Sequence, residues 1–241
     1  MRYAFLSDVH GNLESLNAVL ARLADTDTIF CLGDTVGYGP NPNECLELIR
    51  KHARATVLGN HDLAALDNFG IEYFNDLARE ALIWTQRQLS KENRRWLDTL
   101  GYEIRASEYL LVHGAPVQYF RYIMDKSDAA DAFSSTDAPL IFVGHTHVAE
   151  AYILHDNGEI DHHHYQHGGV LRLDAGLRYL LNVGSVGQPR DLNAEASFAF
   201  YDDQHRTITW ERVAYDIESV RRKILTAELP EALGTRLIQG R

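Results

Sequence analysis

The stretch that decides the fold is Pro139-Leu140-Ile141-Phe142-Val143-Gly144-His145-Thr146-His147. Its first five residues form an apolar run of the length and kind that builds a buried strand. The glycine that follows lets the backbone turn closely at the strand end. His145 and His147 can therefore point into one small volume, although two histidines alone do not define a site.

Four other stretches place polar side chains directly after apolar, strand-like runs. They are Asp8-Val9-His10, Gly33-Asp34, Gly59-Asn60-His61-Asp62 and Val112-His113-Gly114. In a sheet of parallel strands, ligands bind beyond the carboxyl ends of the strands. We therefore expect all five stretches to meet at one edge of a sheet.

The order of the elements predicts an α/β protein. Strand-like runs over 2–7, 28–32 and 55–58 alternate with helical patterns, which indicates a largely parallel sheet. Residues from about 63 to 100 show helical patterns alone and either cover the site as a lid or pack on one face of the sheet. Residues 116–136 are expected to form a loop and a helix near the rim of the site.

The chain after residue 147 has a different pattern. Short alternating runs separated by turn signals favour a second, mostly antiparallel sheet, and an amphipathic helix is predicted over 217–229. The runs lie at 151–154, 171–173, 179–183, 198–201 and 207–212.

Length and composition favour a single domain over residues 1–241, long enough to bury a sizeable core. The net charge of −11 gives no basic field, so extended nucleic-acid binding is not expected. No apolar run approaches membrane-spanning length and no signal-peptide pattern is present, which predicts a cytoplasmic protein that binds no membrane. Cys31 and Cys45 are expected to be buried free thiols.

The polar side chains of the five stretches form a donor set suited to borderline divalent ions. Carboxylate, imidazole and amide groups favour Mn²⁺, Fe²⁺/Fe³⁺ or Zn²⁺ over Ca²⁺, with Mg²⁺ or Ni²⁺ as alternatives. Seven ligands are too many for one such ion, but they fit two ions when one carboxylate bridges them. The seven are Asp8, His10, Asp34, Asn60, His113, His145 and His147. Two ions ~3.5–4 Å apart can activate a shared water and bind both oxygens of an in-line displacement at phosphorus.

Taken in this order, the five stretches resemble the motifs of the calcineurin-like metallophosphoesterases. The resemblance covers about residues 3–187. Asn182-Val183-Gly184-Ser185-Val186-Gly187 is similar to the Asn-Pro-Gly-Ser stretch of the small bacterial phosphodiesterase branch, with valine in place of proline. The resemblance implies a four-layer α/β/β/α sandwich of two mixed sheets.

The same resemblance implies a role for each polar residue. The first metal would be held by Asp8, His10, Asp34 and His147, and the second by Asp34 as bridge, Asn60, His113 and His145. His61 would lie near the leaving group, as a phosphate contact or general acid. Asp62 stands where many relatives have glutamate, so its part in orienting the ligands is open.

These features predict a dinuclear metal-dependent phosphoesterase, in which metal-bound hydroxide attacks a phosphodiester or a small phosphate ester. Asp34, Asn60 and His61 are the predicted catalytic residues. A phosphatase for phosphoproteins or dinucleoside polyphosphates is the alternative within the class. The alternative of another class is a non-catalytic interaction scaffold, which the complete ligand set disfavours. The predicted partner is a small phosphate-ester substrate, and the oligomeric state stays open.

Other polar residues are weaker candidates. Tyr38, Asn41, Gln188 and Arg190 are predicted rim contacts, where Arg190 binds a phosphate or a base or else forms a structural salt bridge. In His162-His163-His164, alternation places the outer two histidines on one face and the middle one on the other. Together with His167 they lie in a polar stretch. We expect a solvated strand or loop there rather than a third metal site.

Overall fold

The computed structural model describes residues 1–24 and 27–241, in which two β-sheets of six strands each face one another. The strands are β1 Arg2–Leu6, β2 Thr28–Cys31, β3 Ala53–Thr56, β4 Glu103–Arg105, β5 Tyr109–Val112, β6 Leu140–Val143, β7 Ala149–Leu154, β8 Ile160–His164, β9 Gly169–Arg172, β10 Arg178–Val183, β11 Ala196–Asp202 and β12 Thr207–Val213. The helices are α1 Leu13–Leu20, α2 Pro42–His52, α3 Asn60–Asp67, α4 Asp76–Gln88, α5 Lys91–Leu97, α6 Lys126–Ser134, α7 Ile217–Thr226 and α8 Glu231–Gln239.

Both sheets mix parallel and antiparallel strands. The first has the order β3-β2-β1-β11-β12-β9, and its parallel part is β1, β2 and β3. The second has the order β4-β5-β6-β10-β7-β8, and its parallel part is β5, β6 and β10. Each sheet therefore brings carboxyl ends of parallel strands to the same edge of the molecule.

The inner faces of the two sheets form the central core. Side chains alternate along each strand, so that Phe5 points inward from β1 while Ala4 and Leu6 point outward. Phe5 stacks on Phe142 of the second sheet, with ring centroids 3.8 Å apart and an interplanar angle of 11°. Such an aromatic pair contributes about 0.5–1.5 kcal/mol beyond its buried area.

Helices cover the two outer faces. The outer side of the first sheet packs on α1 and α2 through a cluster that includes Leu16 and Ile49. The outer side of the second sheet packs on α6 through Ala129 and Phe133. The predicted four-layer α/β/β/α sandwich is confirmed.

The prediction of a separate antiparallel sheet after residue 147 was wrong. The short runs divide between the two sheets: β7, β8 and β10 extend the second, and β9, β11 and β12 extend the first. Alternation shows which face of a strand is buried, but it does not identify the strand that pairs with it. On one side of β1, for example, the partner is β11, in which Phe200 lies opposite Ala4.

The helical segment after residue 63 packs mainly on other helices. Leu82 and Leu97 lie in one cluster with Leu46 of α2. Ala81 lies in another cluster with Val220 of α7. The prediction that this segment packs on a face of the sheet was therefore wrong. The segment packs on α2 and on the C-terminal helices.

The structure changes the predicted bounds of the C-terminal helix and of the third strand, and it confirms the prediction for the two cysteines. The C-terminal helix ends at Thr226 and a second helix follows, because Glu228 has a left-handed φ of 57° and Pro230 precedes α8. The third strand lies at 53–56 instead of 55–58. Cys31 and Cys45 are buried free thiols, as predicted. Among the helices of residues 1–24 and 27–241, none has the length and apolar character to cross a membrane.

Candidate metal centre

The predicted ligands lie where β1, β2, β3, β5 and β6 end, so both sheets contribute to one site. Five of the seven adopt left-handed backbone conformations with φ between 50° and 68°; they are Asp8, His10, Asp34, His145 and His147. Such a conformation costs about 1–3 kcal/mol for a residue other than glycine. It persists here because the loops hold one another: the amides of Asp8 and His10 donate to the carbonyls of Gly33 (3.0 Å) and Asp34 (2.9 Å).

Two glycines are required by close approach to the ligands. A Cβ on Gly144 would lie 1.9 Å from Ser7 Oγ and 2.5 Å from Asp8 Oδ2. A Cβ on Gly59 would lie 2.1 Å from Asp34 Oδ1. The glycines predicted as strand-end turns therefore allow aspartates from neighbouring strands to enter the site.

The first ligand cluster consists of Asp8, His10 and His147. Asp8 Oδ1 lies 3.1 Å from His147 Nε2 and 3.7 Å from His10 Nε2, and the two Nε2 atoms are 3.1 Å apart. The opposite ring nitrogens, Nδ1, donate to backbone carbonyls of Val36 (3.0 Å) and Gln188 (2.6 Å). In the neutral rings both Nε2 atoms are then acceptors that face each other and a carboxylate, an arrangement that a cation between them would satisfy.

The second cluster consists of Asp34, His113 and His145. His113 Nδ1 donates to the Leu32 carbonyl at 2.7 Å, and His145 Nε2 donates to the Phe120 carbonyl at 3.0 Å. The remaining nitrogens, His113 Nε2 and His145 Nδ1, are 3.0 Å apart. Rings whose one nitrogen is bound to a backbone carbonyl and whose other nitrogen faces the site are therefore present in both clusters.

Asp34 lies between the two clusters. Its Oδ2 is 3.2 Å from His113 Nε2 in the second cluster and 3.8 Å from His10 Nε2 in the first. Its Oδ1 accepts from the His61 amide at 2.8 Å. One oxygen of this carboxylate is thus fixed by the backbone, and the other faces both histidine sets.

Buried oxygens without partners also point to a cation. Asp8 Oδ1 and Asn60 Oδ1 are buried and have no hydrogen-bond partner among the described residues. A buried acceptor left unpaired is costly, and a buried carboxylate oxygen more so. The donor set thus fits the metal ions that the sequence predicts, and Asn60 lines the same cavity as His61 and His145.

Burial sets the charge state of most of these histidines. It lowers the pKa of His10, His145 and His147, which favours the neutral imidazole that binds divalent ions. His113 differs: burial alone would lower its pKa, but the carboxylates of Asp34 and Asp8 raise it to about 9. Neighbouring groups also outweigh burial at Asp8. Burial alone would raise the pKa of Asp8, but the facing histidines, above all His147, hold it well below its usual range.

His61 lies beside the first cluster, within ligand distance of His10 and Asp34. Its ring meets Tyr38 and Phe74 at centroid distances of 4.6 and 4.7 Å. Its Nδ1 is buried without a hydrogen-bond partner in the described chain. Burial and the nearby His10 lower its pKa well below the usual range, so the ring is neutral.

The Asp62 carboxylate accepts hydrogen bonds from backbone amides and does not contact the His61 ring through a hydrogen bond. Its two oxygens accept from the amides of Val36 (3.1 Å) and Gly59 (3.2 Å), in the loops that follow β2 and β3. Burial and the neighbouring Asp34 raise the pKa of Asp62 to about 7. Its contribution to the site is therefore to join the two loops that carry Asp34 and Asn60.

The Asn182–Gly187 stretch supports the ligand loops in a similar way. The Asn182 amide donates to Gly144 O and Thr146 Oγ1, both at 2.8 Å. The Ser185 hydroxyl donates to the Asp8 carbonyl at 2.8 Å. These bonds tie the loop between His145 and His147 to the loop of Asp8.

The predicted rim residues behave differently from one another. The Arg190 guanidinium donates to Gln188 Oε1 (3.0 Å) and Tyr38 Oη (3.3 Å), and within the described ranges it forms no ion pair with a carboxylate. The structural salt bridge considered for Arg190 is therefore absent from that part of the chain. The Asn41 side chain instead contacts Glu44 and Lys223.

An aromatic cavity of about 580 Å³ opens beside the ligands, and sequence reasoning did not identify it. The Tyr122 ring stacks on His145 with centroids 3.9 Å apart and an interplanar angle of 11°. The facing wall comes from the loop between α3 and α4. Its aromatic side chains are Phe69, Tyr73 and Phe74. The available signal was the group of aromatic residues in a stretch without helical periodicity.

Comparison with known proteins agrees with this site. Residues 1–206 match the model of the calcineurin-like phosphoesterase superfamily domain. The chain therefore belongs to the calcineurin-like phosphoesterase superfamily, whose members are generally metal-dependent hydrolases, and the predicted resemblance is confirmed.

Individual relatives range from full-length to partial similarity. The chain is 40% identical to an uncharacterized protein of Methanocaldococcus jannaschii, over 99% of this chain and 98% of that protein. It is also 40% identical to a crystal structure of a metallophosphoesterase from Sphaerobacter thermophilus, with a TM-score of 0.89 and complete coverage of both chains. A symmetrical bis(5'-nucleosyl)-tetraphosphatase of Neisseria meningitidis is 27% identical over 55% of this chain and 50% of its own length.

Proposed function

We propose that this protein is a dinuclear metal-dependent phosphoesterase that hydrolyses phosphodiesters or small phosphate esters. The observation that carries the proposal is the position of Asp34 Oδ2, which lies 3.2 Å from His113 Nε2 and 3.8 Å from His10 Nε2. One ion would be held by Asp8, His10, Asp34 and His147, and a second by Asp34, Asn60, His113 and His145. Two such ions, of the Mn²⁺, Fe²⁺/Fe³⁺ or Zn²⁺ type, would activate a shared water and neutralise charge on the phosphoryl oxygens.

The chain's own residues would orient the ester. His61 is neutral and its Nδ1 has no hydrogen-bond partner in the described chain, so the ring is suited to form a hydrogen bond with a phosphoryl oxygen, whereas a role as general acid would require the ring to gain a proton when the ester binds. The Arg190 Nε is also buried without a partner in those residues. A guanidinium is a good ligand for phosphate because it offers several donors in one plane.

The aromatic cavity favours esters that carry a planar group, such as nucleosides. Its volume of about 580 Å³ suits a small molecule, since ligand pockets usually hold roughly 300–1,000 Å³. Aromatic side chains bind bases by stacking, at about 1–3 kcal/mol per base. Hydrolysis of dinucleoside polyphosphates is therefore the second candidate function, and the partial similarity to bis(5'-nucleosyl)-tetraphosphatases supports it.

The proposal is tested with protein loaded with Mn²⁺ or Zn²⁺. We expect hydrolysis of bis-p-nitrophenyl phosphate, p-nitrophenyl phosphate or nucleotide esters, and a panel of these substrates with product identification separates diester, monoester and polyphosphate cleavage. The Asp34→Asn variant is the inactive control. Metal binding without turnover of any of these substrates would favour the interaction-scaffold alternative.

A further inference from the structure

The outer face of the second sheet carries another group of side chains of the types that bind metals, none of them among the seven predicted ligands above. Strands β7 and β8 pair antiparallel, with Glu150 opposite His164 and Tyr152 opposite His162. Because side chains alternate along a strand, these four residues share one face, while His163 points to the other. The predicted solvated strand is thus present, and it lies against a glutamate twelve residues away in the sequence.

The three ionisable groups converge. Glu150 Oε2 lies 2.7 Å from His162 Nε2 and 3.5 Å from His164 Nδ1. The two imidazole centroids are 4.4 Å apart, at an interplanar angle of 54°. One ligand atom from each residue lies within 4.8 Å of the others.

Packing fixes the inner part of this group and leaves the outer part open. The Glu150 side chain is 5% exposed and that of His162 19%, whereas that of His164 is 60% exposed. The His162 ring stacks on Tyr152 at 4.1 Å and 13°. Packing therefore holds Glu150 and His162 in place, while His164 lies at the boundary with solvent. An ion could reach the three side chains from this exposed side.

We propose that Glu150, His162 and His164 form a third metal site, which binds Zn²⁺ or a similar borderline divalent ion and joins the edge strand β8 to β7. A carboxylate and two imidazoles are a common zinc donor set, and three protein ligands leave a position for water. Zinc bonds of about 2.0–2.1 Å place tetrahedral ligand atoms roughly 3.3 Å apart. Widening the Glu150–His162 contact by about 0.6 Å and closing the Glu150–His164 contact by about 0.2 Å would meet that spacing for these two pairs, and the ligand atoms of His162 and His164 lie within 4.8 Å of each other.

The competing arrangement is a neutral pair held by one proton. Burial raises the pKa of Glu150 to about 8 and lowers that of His162 to about 4, and Lys126 contributes to the lower value. At neutral pH the buried carboxyl would then donate to His162. Divalent ions bind deprotonated ligands, so zinc would replace this proton and release it.

The test measures zinc stoichiometry, which does not depend on turnover. The protein is stripped with chelator, dialysed against micromolar free Zn²⁺ and assayed for bound metal. We expect wild type to hold one equivalent more than His164→Ala, and one more than Glu150→Gln, which keeps the shape of the buried side chain. His163→Ala, on the opposite face of the same strand, is the matched control and should keep the full content.

Visible absorption of bound Co²⁺ shows which site has lost its metal ion. With Co²⁺ in place of Zn²⁺, His164→Ala should lose one component of the visible absorption, while hydrolysis at the separate phosphoesterase site continues. Equal metal content in wild type, His164→Ala and Glu150→Gln would overturn the proposal. A loss in His163→Ala as large as that in His164→Ala would overturn it as well.

Discussion

The Nε2 atoms of His10 and His147 lie 3.1 Å apart, although each ring donates its Nδ1 proton to a backbone carbonyl. Two neutral acceptors at this distance, next to Asp8 Oδ1, form no hydrogen bond with one another. We therefore expect divalent ions to stabilise the native protein. An ion at 100 times its dissociation constant adds about 2.7 kcal/mol, so Mn²⁺ or Zn²⁺ should raise the Tm of chelator-treated protein by several degrees. An unchanged Tm would contradict the assigned ligand set.

The bridge position of Asp34 predicts a different result from the position of His61. Asp34→Asn should remove most of both bound ions, because its Oδ2 faces both clusters. His61→Ala should keep metal content near wild type and lower kcat by about 10²-fold or more if the ring acts as general acid. Metal analysis and steady-state kinetics check both. Equal loss of metal in the two variants would show that the roles are wrong.

Gly144 should tolerate no side chain. The added methyl of Gly144→Ala would meet Ser7 Oγ and Asp8 Oδ2, and relieving such overlap costs about 1–3 kcal/mol. Urea unfolding should show this loss, together with weaker metal binding because Asp8 moves. Gly101→Ala is the matched control: its nearest neighbour would be Glu103 O at 3.8 Å, so its stability should stay within about 0.5 kcal/mol of wild type.

The aromatic cavity predicts selective loss of affinity for nucleoside esters. Phe69 lines the cavity and is 63% exposed, so Phe69→Ala should not disturb the core. Loss of one stacking contact of about 1–2 kcal/mol raises KM roughly 5- to 30-fold. The KM for glycerol phosphate should stay unchanged. Val170→Ala, at an equally exposed position on β9, is the control. A matching increase in KM for both substrates would argue against base stacking.

The candidate ligand residues could be grouped from the sequence because their signal is local. Asp8, Asp34, His113 and His145 each follow a short apolar strand, and the structure brings them together where the strands end. Pairing between distant strands has no such local signal. The antiparallel partner of β1, β11, lies almost two hundred residues later, and that is why the division of strands between the sheets was predicted incorrectly.

Contacts that side chains make with residues of other loops or strands could not be predicted from the sequence either. The sequence leaves the part of Asp62 in orienting the ligands open, and the structure shows that its carboxylate accepts from the amides of Val36 and Gly59. The sequence around Glu150 contains no pattern that indicates a site. It is the register of β7 against β8 that places Glu150 beside His162 and His164.

The pairing of β1 with β11 has a consequence for synthesis on the ribosome. All seven predicted ligands have been made once His147 is added, but β1, which leads into Asp8, still has one unpaired side until Ala196–Asp202 is available. Contacts between segments so far apart form late and slowly. A nascent chain that stops before β11 thus contains every candidate ligand without the neighbouring strand that completes the sheet beneath them, and we expect it to bind ions more weakly than the chain that includes β11.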